Sequence, residues 1–127
     1  SIIDETLSVI KNQKISHVGL LATSMTVNNN LFDDKLNFHG IKQITPSIKD
    51  QSKLDKIIHN LVLGRHNHRH KKEINKIIAQ MVKQKVKNIL LACTDLQLVI
   101  KEHPQIEILD TMQILAEATA KEILEGL

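Results

Sequence analysis

The residues with the clearest chemical potential stand together at Cys93, Thr94 and Asp95. A short apolar run of strand length, residues 89–92, ends at this cysteine, which is the only one in the chain. Thr94 and Asp95 are residue types that begin helices, so the pattern predicts a strand–helix junction at Cys93. A helix N-terminus carries about half a positive charge and favours thiolate over thiol. Three interpretations stay open for Cys93: a nucleophile, an acid–base thiol and an ordinary buried cysteine.

A second group of polar side chains follows another apolar run, residues 18–22. Thr23, Ser24 and Thr26 bring three hydroxyls to the point where this second predicted strand ends. With the backbone N–H groups of a following helix start, they could donate hydrogen bonds to a carboxylate. A plain helix-capping cluster is the alternative.

Three histidines alternate with other residues in a basic run, at His66, His68 and His70. If this run is extended, the three side chains share one face and could bind a metal ion. The arginines and lysines between residues 65 and 72 oppose a divalent cation, so we expect a solvated, positively charged turn and no metal site.

Alternating strands and helices position these residues. Helical spacing of apolar residues predicts helices over 3–13, 54–62, 74–82 and 94–101, the second of them capped by Ser47 or Asp50. A short helix reaching Leu36 and a last one from Asp110 or Thr111 to about 124 are also expected. Short apolar runs predict strands over 18–22, 41–45, 89–92 and 106–109. This order is typical of a parallel sheet with helices on both faces, in which ligands bind beyond the carboxyl ends of the strands. We therefore expect Thr23, Cys93 and Asp110 at one edge.

Composition narrows the class of protein. The chain has 127 residues, enough for one domain, and 42% of them are apolar. Two Phe are the only aromatic residues besides histidine, which argues against modules that stack nucleic-acid bases. The single cysteine fits a reducing compartment. With no apolar stretch of membrane-spanning length and no signal-type leader, we expect a cytoplasmic protein that engages neither nucleic acid nor membrane.

Two motifs carry a family resemblance. Residues 19–26, GLLATSMT, resemble the G-L-L-A-T-x-x-T element of the aspartate/glutamate racemases, and residues 91–96, LACTDL, are similar to their G-C-T-E-L element. Gly40-Ile41 followed by Pro46 matches the family's intervening strand, and the segment 109–116 resembles its closing segment. The resemblance implies a three-layer α/β/α sandwich with about four parallel strands, a flavodoxin-like racemase lobe.

The resemblance also implies a mechanism that uses no pyridoxal phosphate, no metal and no other cofactor. Two cysteines face each other across the α-carbon of an amino acid, one removing a proton and the other returning one. Cys93 corresponds to the second of these cysteines. Thr23, Ser24, Thr26 and Thr94 would bind a dicarboxylic substrate, and Asp95 takes the place of a Glu or His beside the thiol.

This sequence also departs from the family pattern. The family is about twice as long, so residues 1–127 are expected to form one domain equivalent to the C-terminal lobe, inactive without the N-terminal lobe. Segment 110–127 is expected to be the closing helix that packs on that lobe, and a homodimer is left open. Three substitutions weaken the substrate assignment: Ala92 replaces Gly, Asp95 replaces Glu, and Phe32 replaces Tyr. Val62 and Leu63 stand where some relatives have a Lys that could hold a second carboxylate.

Two other functions therefore stay in view. One is a non-catalytic descendant that keeps the fold for ligand binding or assembly. The other is a neighbouring reaction, of the hydantoin racemase, maleate isomerase or arylmalonate decarboxylase type, with a cysteine at the same place.

Overall fold

Four parallel strands form the centre of the computed structural model, which describes residues 2–111, 120 and 123–126. The strands are β1 (His17–Leu21), β2 (Lys42–Ile44), β3 (Asn88–Leu91) and β4 (Glu107–Asp110). Their order across the sheet is β2-β1-β3-β4, and every pairing is parallel. This is the flavodoxin-like order, in which the chain reverses its direction of winding between β1 and β3.

Helices cover both faces of the sheet. They are α1 (Ile2–Asn12), α2 (Ser24–Asn28), α3 (Leu31–Phe38), α4 (Ile48–Val62) and α5 (His68–Val82), followed by a 3₁₀ helix at Thr94–Leu98. Alternate strand residues face opposite layers: Leu21, Ile89 and Leu91 pack with α4 and α5, whereas Leu20 and Leu90 pack with α1 and α3. The predicted three-layer α/β/α sandwich is confirmed.

Most predicted elements lie where the hydrophobic pattern places them, but three predictions were wrong. The single short helix expected to reach Leu36 is two helices, because Asn30 takes a left-handed backbone (φ 57°) between α2 and α3. The helix expected over 94–101 is a 3₁₀ helix of five residues. The basic turn ends early, because the Asn67 side chain accepts the N–H of Arg69 and starts α5 at His68.

Helix ends follow local capping rules. Ser47, one of the two predicted caps, accepts the N–H of Asp50 at 3.1 Å and starts α4 directly after Pro46. Gly64 ends the same helix with φ +74°, as predicted. The predicted closing helix over 110–124 falls mainly outside the described residues. In the part of the chain that is described, no helix is both long and apolar enough to cross a bilayer.

Candidate functional site

Strands β1 and β3 bring the two predicted polar segments side by side. In the register of these neighbouring strands, Leu21 pairs with Leu91, and the N–H of Ala92 donates to the carbonyl of Leu21 at 3.0 Å. Thr23 and Cys93 each follow two residues after that pair, on strands that run about 4.8 Å apart. Both therefore leave the sheet at the same edge, at the point between β1 and β3 where this fold binds ligands.

The hydroxyl of Thr23 organises the turn after β1. Thr23 is the N-cap of α2: its Oγ1 accepts the N–H of Thr26 at 3.4 Å and donates to the Thr26 hydroxyl at 3.3 Å. The predicted capping role is therefore present. The hydrogen of the Thr26 hydroxyl remains available to an acceptor outside this pair, since Thr26 Oγ1 serves Thr23 as an acceptor.

A carboxylate from α4 holds the same turn. Asp55 Oδ1 accepts the backbone N–H of Ser24 at 2.9 Å, and Asp55 Oδ2 accepts the Ser24 hydroxyl. Gln51, one helical turn earlier, donates from Nε2 to Asp55 Oδ1 at 3.0 Å and to the carbonyl of Ala22 at 2.8 Å. The two side chains of α4 thus fix the backbone on both sides of Thr23. We call Ser24, Gln51 and Asp55 the turn clamp.

The clamp shifts the ionisation of its carboxyl group. Partial burial raises the pKa of Asp55, but the hydrogen bonds from the Ser24 hydroxyl, the Gln51 amide and the Ser24 N–H outweigh burial and leave the pKa below its usual value of 3.8. Asp55 is therefore ionised at neutral pH. An ionised carboxylate only accepts hydrogen bonds, so the Ser24 hydroxyl must act as the donor.

Cys93 lies at the N-cap position of the 3₁₀ helix, with an extended backbone (φ −145°, ψ 122°). Its side chain is half-buried and packs against the core cluster formed with α4 and α5. Its carbonyl accepts the N–H of Leu96 at 3.2 Å, which starts the helical turn. Because that helix is one short 3₁₀ segment, its dipole is weaker than the α-helix expected from the sequence would supply.

Two departures from the family pattern lie away from Cys93. The methyl group of Ala92 packs against the opposite core cluster, the one formed with α1 and α3. Phe32 is 8% exposed and belongs to that same cluster. Neither substitution places a side chain on the face of the sheet that Cys93 occupies.

The remaining predicted residues surround the end of β3. Thr94 is exposed and Asp95 is half-buried, both in the first turn of the 3₁₀ helix. At the end of the neighbouring strand β4, the Asp110 carboxylate accepts the Gln97 amide. The buried hydroxyl of Thr111, the residue after β4, donates to the carbonyl of Leu91 at 3.1 Å. The carboxyl end of β3 is thus tied to β1 through Ala92 and to β4 through Thr111.

A cavity of about 480 Å³ adjoins the turn clamp. It lies between α2, the end of β2 and the start of α4, and its described lining includes Ser24, Thr45, Gln51 and Asp55. Asp55 is the one charged group among those lining residues. This cavity therefore suits an ammonium group or a neutral hydrogen-bond donor better than a carboxylate.

The three histidines do not share a face. His68 and His70 lie two residues apart within α5, about 200° around the helix, and His70 is buried at 7% exposure whereas His68 is exposed. The extended arrangement that would let the three rings converge is therefore wrong. Among the described residues, no group of three histidine, cysteine or acidic side chains has the geometry to hold a metal ion.

The sequence analysis missed Gln51 and Asp55. Both stand beside the apolar stripe of α4, four residues apart, directly after a predicted strand that ends at Pro46. Polar residues next to a buried stripe, in the first two turns of a helix that starts at the carboxyl edge, are the signal that could have identified them.

A flavodoxin-like lobe with a cysteine at the central switch point defines the class of protein, and comparisons with known proteins define the family. A model of the Asp/Glu/Hydantoin racemase family matches residues 1–119. The chain belongs to this family.

Solved structures share its fold. A candidate Asp/Glu racemase from Yersinia pestis superposes with a TM-score of 0.87 at 31% identity, covering 97% of this chain and 55% of that one. The aspartate racemase of Picrophilus torridus superposes with a TM-score of 0.81 at 30% identity, and the match covers 96% of this chain and 51% of the racemase chain. An aspartate racemase homologue from Pyrococcus horikoshii superposes with a TM-score of 0.79 at 27% identity, and the match covers 90% of this chain and 51% of the homologue. The chain thus spans about half the length of these solved relatives.

Proposed function

We propose that this chain is the C-terminal catalytic lobe of a cofactor-independent amino-acid racemase, with Cys93 as one of two acid–base thiols. The observation that carries the proposal is the register of β1 and β3, which brings Cys93 beside the Thr23 turn. Family membership and the order of the two motifs support it. The approximately half-length match to the solved racemases supports the assignment as one lobe.

In this mechanism the Cys93 sulfur exchanges one proton with the α-carbon. As thiolate it takes the α-proton, so an S–H bond forms while the electron pair of the C–H bond moves toward the substrate carboxyl group. A second thiol on the opposite face then donates a proton to the α-carbon. Since Cys93 is the only cysteine of this chain, the second thiol comes from another lobe.

The polar groups around Cys93 would orient the substrate. Thr26 and Thr94 would donate hydrogen bonds to its α-carboxylate, with Thr23 fixing the position of Thr26. Ser24 offers only its oxygen lone pairs, because its hydroxyl hydrogen is given to Asp55. Ser24 therefore suits the substrate ammonium group, and Asp95 would neighbour the thiol.

The test compares the wild-type two-lobe protein with its Cys93→Ser variant. Both are incubated with L- and D-aspartate and glutamate in deuterium oxide, and racemisation and α-deuterium incorporation are followed by chiral chromatography and mass spectrometry. We expect the variant to lose activity by about 10²–10⁴-fold, since a serine hydroxyl is a poor acid–base group at neutral pH. Ser8→Ala, an exposed change on α1, is the control and should keep full activity.

Full turnover in the Cys93→Ser protein would refute the proposal. The non-catalytic alternative is favoured if the wild-type protein and the variant bind these amino acids with equal affinity and the wild-type protein incorporates no deuterium at the α-carbon. The cavity beside Asp55 motivates one further substrate set, hydantoins and amino acids without a second carboxylate, because no cation lines its described surface. We expect the lobe alone to be inactive, since one thiol cannot serve both faces of the α-carbon.

A further inference from the structure

Four helices end in the same hydrogen-bond pattern, but the residue with a left-handed backbone is glycine in two of them and lysine in the other two. The ends of α1, α3, α4 and α5 each pair an i→i−3 bond with an i→i−5 bond from the next residue, the Schellman motif. In each helix, the residue that donates the i→i−3 bond has a left-handed backbone. It is Gly40 (φ +73°) after α3 and Gly64 (φ +74°) after α4, but Lys14 (φ 56°) after α1 and Lys85 (φ 69°) after α5.

Lysine is a poor choice for a left-handed backbone. Its Cβ crowds the following carbonyl in that conformation, and glycine has no such contact. A cation near the C-terminus of a helix is favoured by the helix dipole, but it gains this from ordinary positions in the last turn, such as Lys11 in α1. At α1, where Lys11 already serves the helix dipole, the dipole therefore does not account for Lys14. Helix α5 has no basic residue in its last turn, so Lys85 also complements the dipole of that helix.

The two lysines line one cavity. It has a volume of about 560 Å³ and lies at the amino ends of β1 and β3, the opposite edge of the sheet from Cys93. Lys14 follows α1 and Lys85 follows α5, while His17 begins β1 and Lys87 directly precedes β3. The other described lining residues are Gln13, Ile15, Ser16 and Asn88, so the described surface of the cavity includes no carboxylate.

We propose that this cavity binds a small, multiply charged oxyanion of phosphate chemistry. Three exposed lysines and two amide side chains line it as possible hydrogen-bond donors, while the Ser16 hydroxyl is already paired with His17 Nδ1 at 3.0 Å. The volume is that of a metabolite site. Lysine ammonium groups bind phosphate as point charges and need no fixed geometry. Because the site lies at the other edge of the sheet, its ligand leaves the region around Cys93 open.

The test uses pyrophosphate as the probe, titrated calorimetrically into the full chain at constant ionic strength. The variant is Lys14→Gly/Lys85→Gly. Without ligand it should melt a few degrees higher than the wild type, because glycine relieves the left-handed backbone, so weaker binding cannot be attributed to misfolding. With pyrophosphate, its dissociation constant should rise at least about tenfold. Lys53→Gln/Lys56→Gln, which removes two exposed lysines of α4, carries the same charge change and should bind as the wild type does.

Two results would overturn the proposal. One is a wild-type chain that binds no pyrophosphate at about 1 mM, a concentration at which a specific site for a small ligand is occupied. The other is an equal loss of binding in the Lys53→Gln/Lys56→Gln control, which would show that net charge alone attracts the anion. Sodium sulfate at the same ionic strength is the control that separates specific binding of pyrophosphate from charge screening.

Discussion

Removal of the Asp55 carboxylate tests whether the turn clamp holds the turn after β1. Asp55→Ala leaves the Ser24 hydroxyl, the Ser24 N–H and one Gln51 hydrogen bond without their acceptor. A hydrogen bond to a charged group contributes about 1.5–3 kcal/mol, and water can replace part of this because the site is only half-buried. We expect a net loss of about 2 kcal/mol in the free energy of unfolding, or about 7 °C in melting temperature for 127 residues.

Urea unfolding at pH 7 measures this loss. The Ser24→Ala variant and the double variant complete a double-mutant cycle, in which we expect a coupling of about 1 kcal/mol between Ser24 and Asp55. Glu102→Gln removes an exposed carboxylate elsewhere and should change stability by less than about 0.5 kcal/mol.

The same variants have a predictable pH dependence. The folded-state pKa of Asp55 is below the unfolded value, so its contribution is fully present above about pH 4 and is lost as pH falls through the folded pKa. The stability difference between wild type and Asp55→Ala should therefore shrink below pH 4. A coupling near zero, or a difference that grows on acidification, would refute the clamp as the reason for the shifted pKa.

Two further predictions concern packing. Gly19→Ala should lower stability by about 1–3 kcal/mol in urea, because the new Cβ would lie 2.7 Å from Met81 Cε, 3.0 Å from Ile89 Cγ1 and 3.1 Å from Val86 Cγ1. Unchanged stability would show that the core yields more easily than its packing suggests. His70→Leu should raise stability by about 1 kcal/mol in thermal unfolding, because the buried Nδ1 of His70 has no hydrogen-bond partner among the described residues. A loss of stability in this variant would instead show that Nδ1 forms a hydrogen bond.

The strands and long helices could be predicted because their apolar periodicity is uninterrupted. Leu54, Ile57 and Leu61 follow the helical stripe of α4, and residues 18–22 are apolar throughout, as a strand covered on both faces must be. Parallel order and the shared carboxyl edge then follow from the alternation of strands and helices. The closeness of Thr23 and Cys93 was predictable from this topology without any alignment.

Short-range competition between conformations explains the errors. Asn30 tolerates a left-handed backbone and divides one expected helix into two, and Asn67 caps a helix inside a run whose charges suggested a turn. Neither outcome is encoded in apolar periodicity. The histidine hypothesis failed for the same reason, since it depended on an extended run.

The turn clamp could not be predicted because it depends on tertiary distance. Asp55 is separated from Ser24 by 31 positions, and only the packing of α4 against α2 makes them neighbours. Its sequence signal, two polar residues flanking a buried stripe, is shared by many solvent-exposed helix positions. Sequence alone therefore identified the residues on the strands' ends but not the helix side chains that fix them.

The register that pairs β1 with β3 also constrains how the site forms during folding. Gly19 and Ile89 are partners across about 70 residues of intervening chain, which must include β2, α4 and α5. Closing so long a loop costs entropy before any contact compensates for it, so parallel pairing of this kind is slow relative to helix formation. We therefore expect Thr23 and Cys93 to become neighbours late in folding. A chain in which β1 and β3 have not yet paired carries its cysteine without the hydroxyls that lie beside it in the native fold.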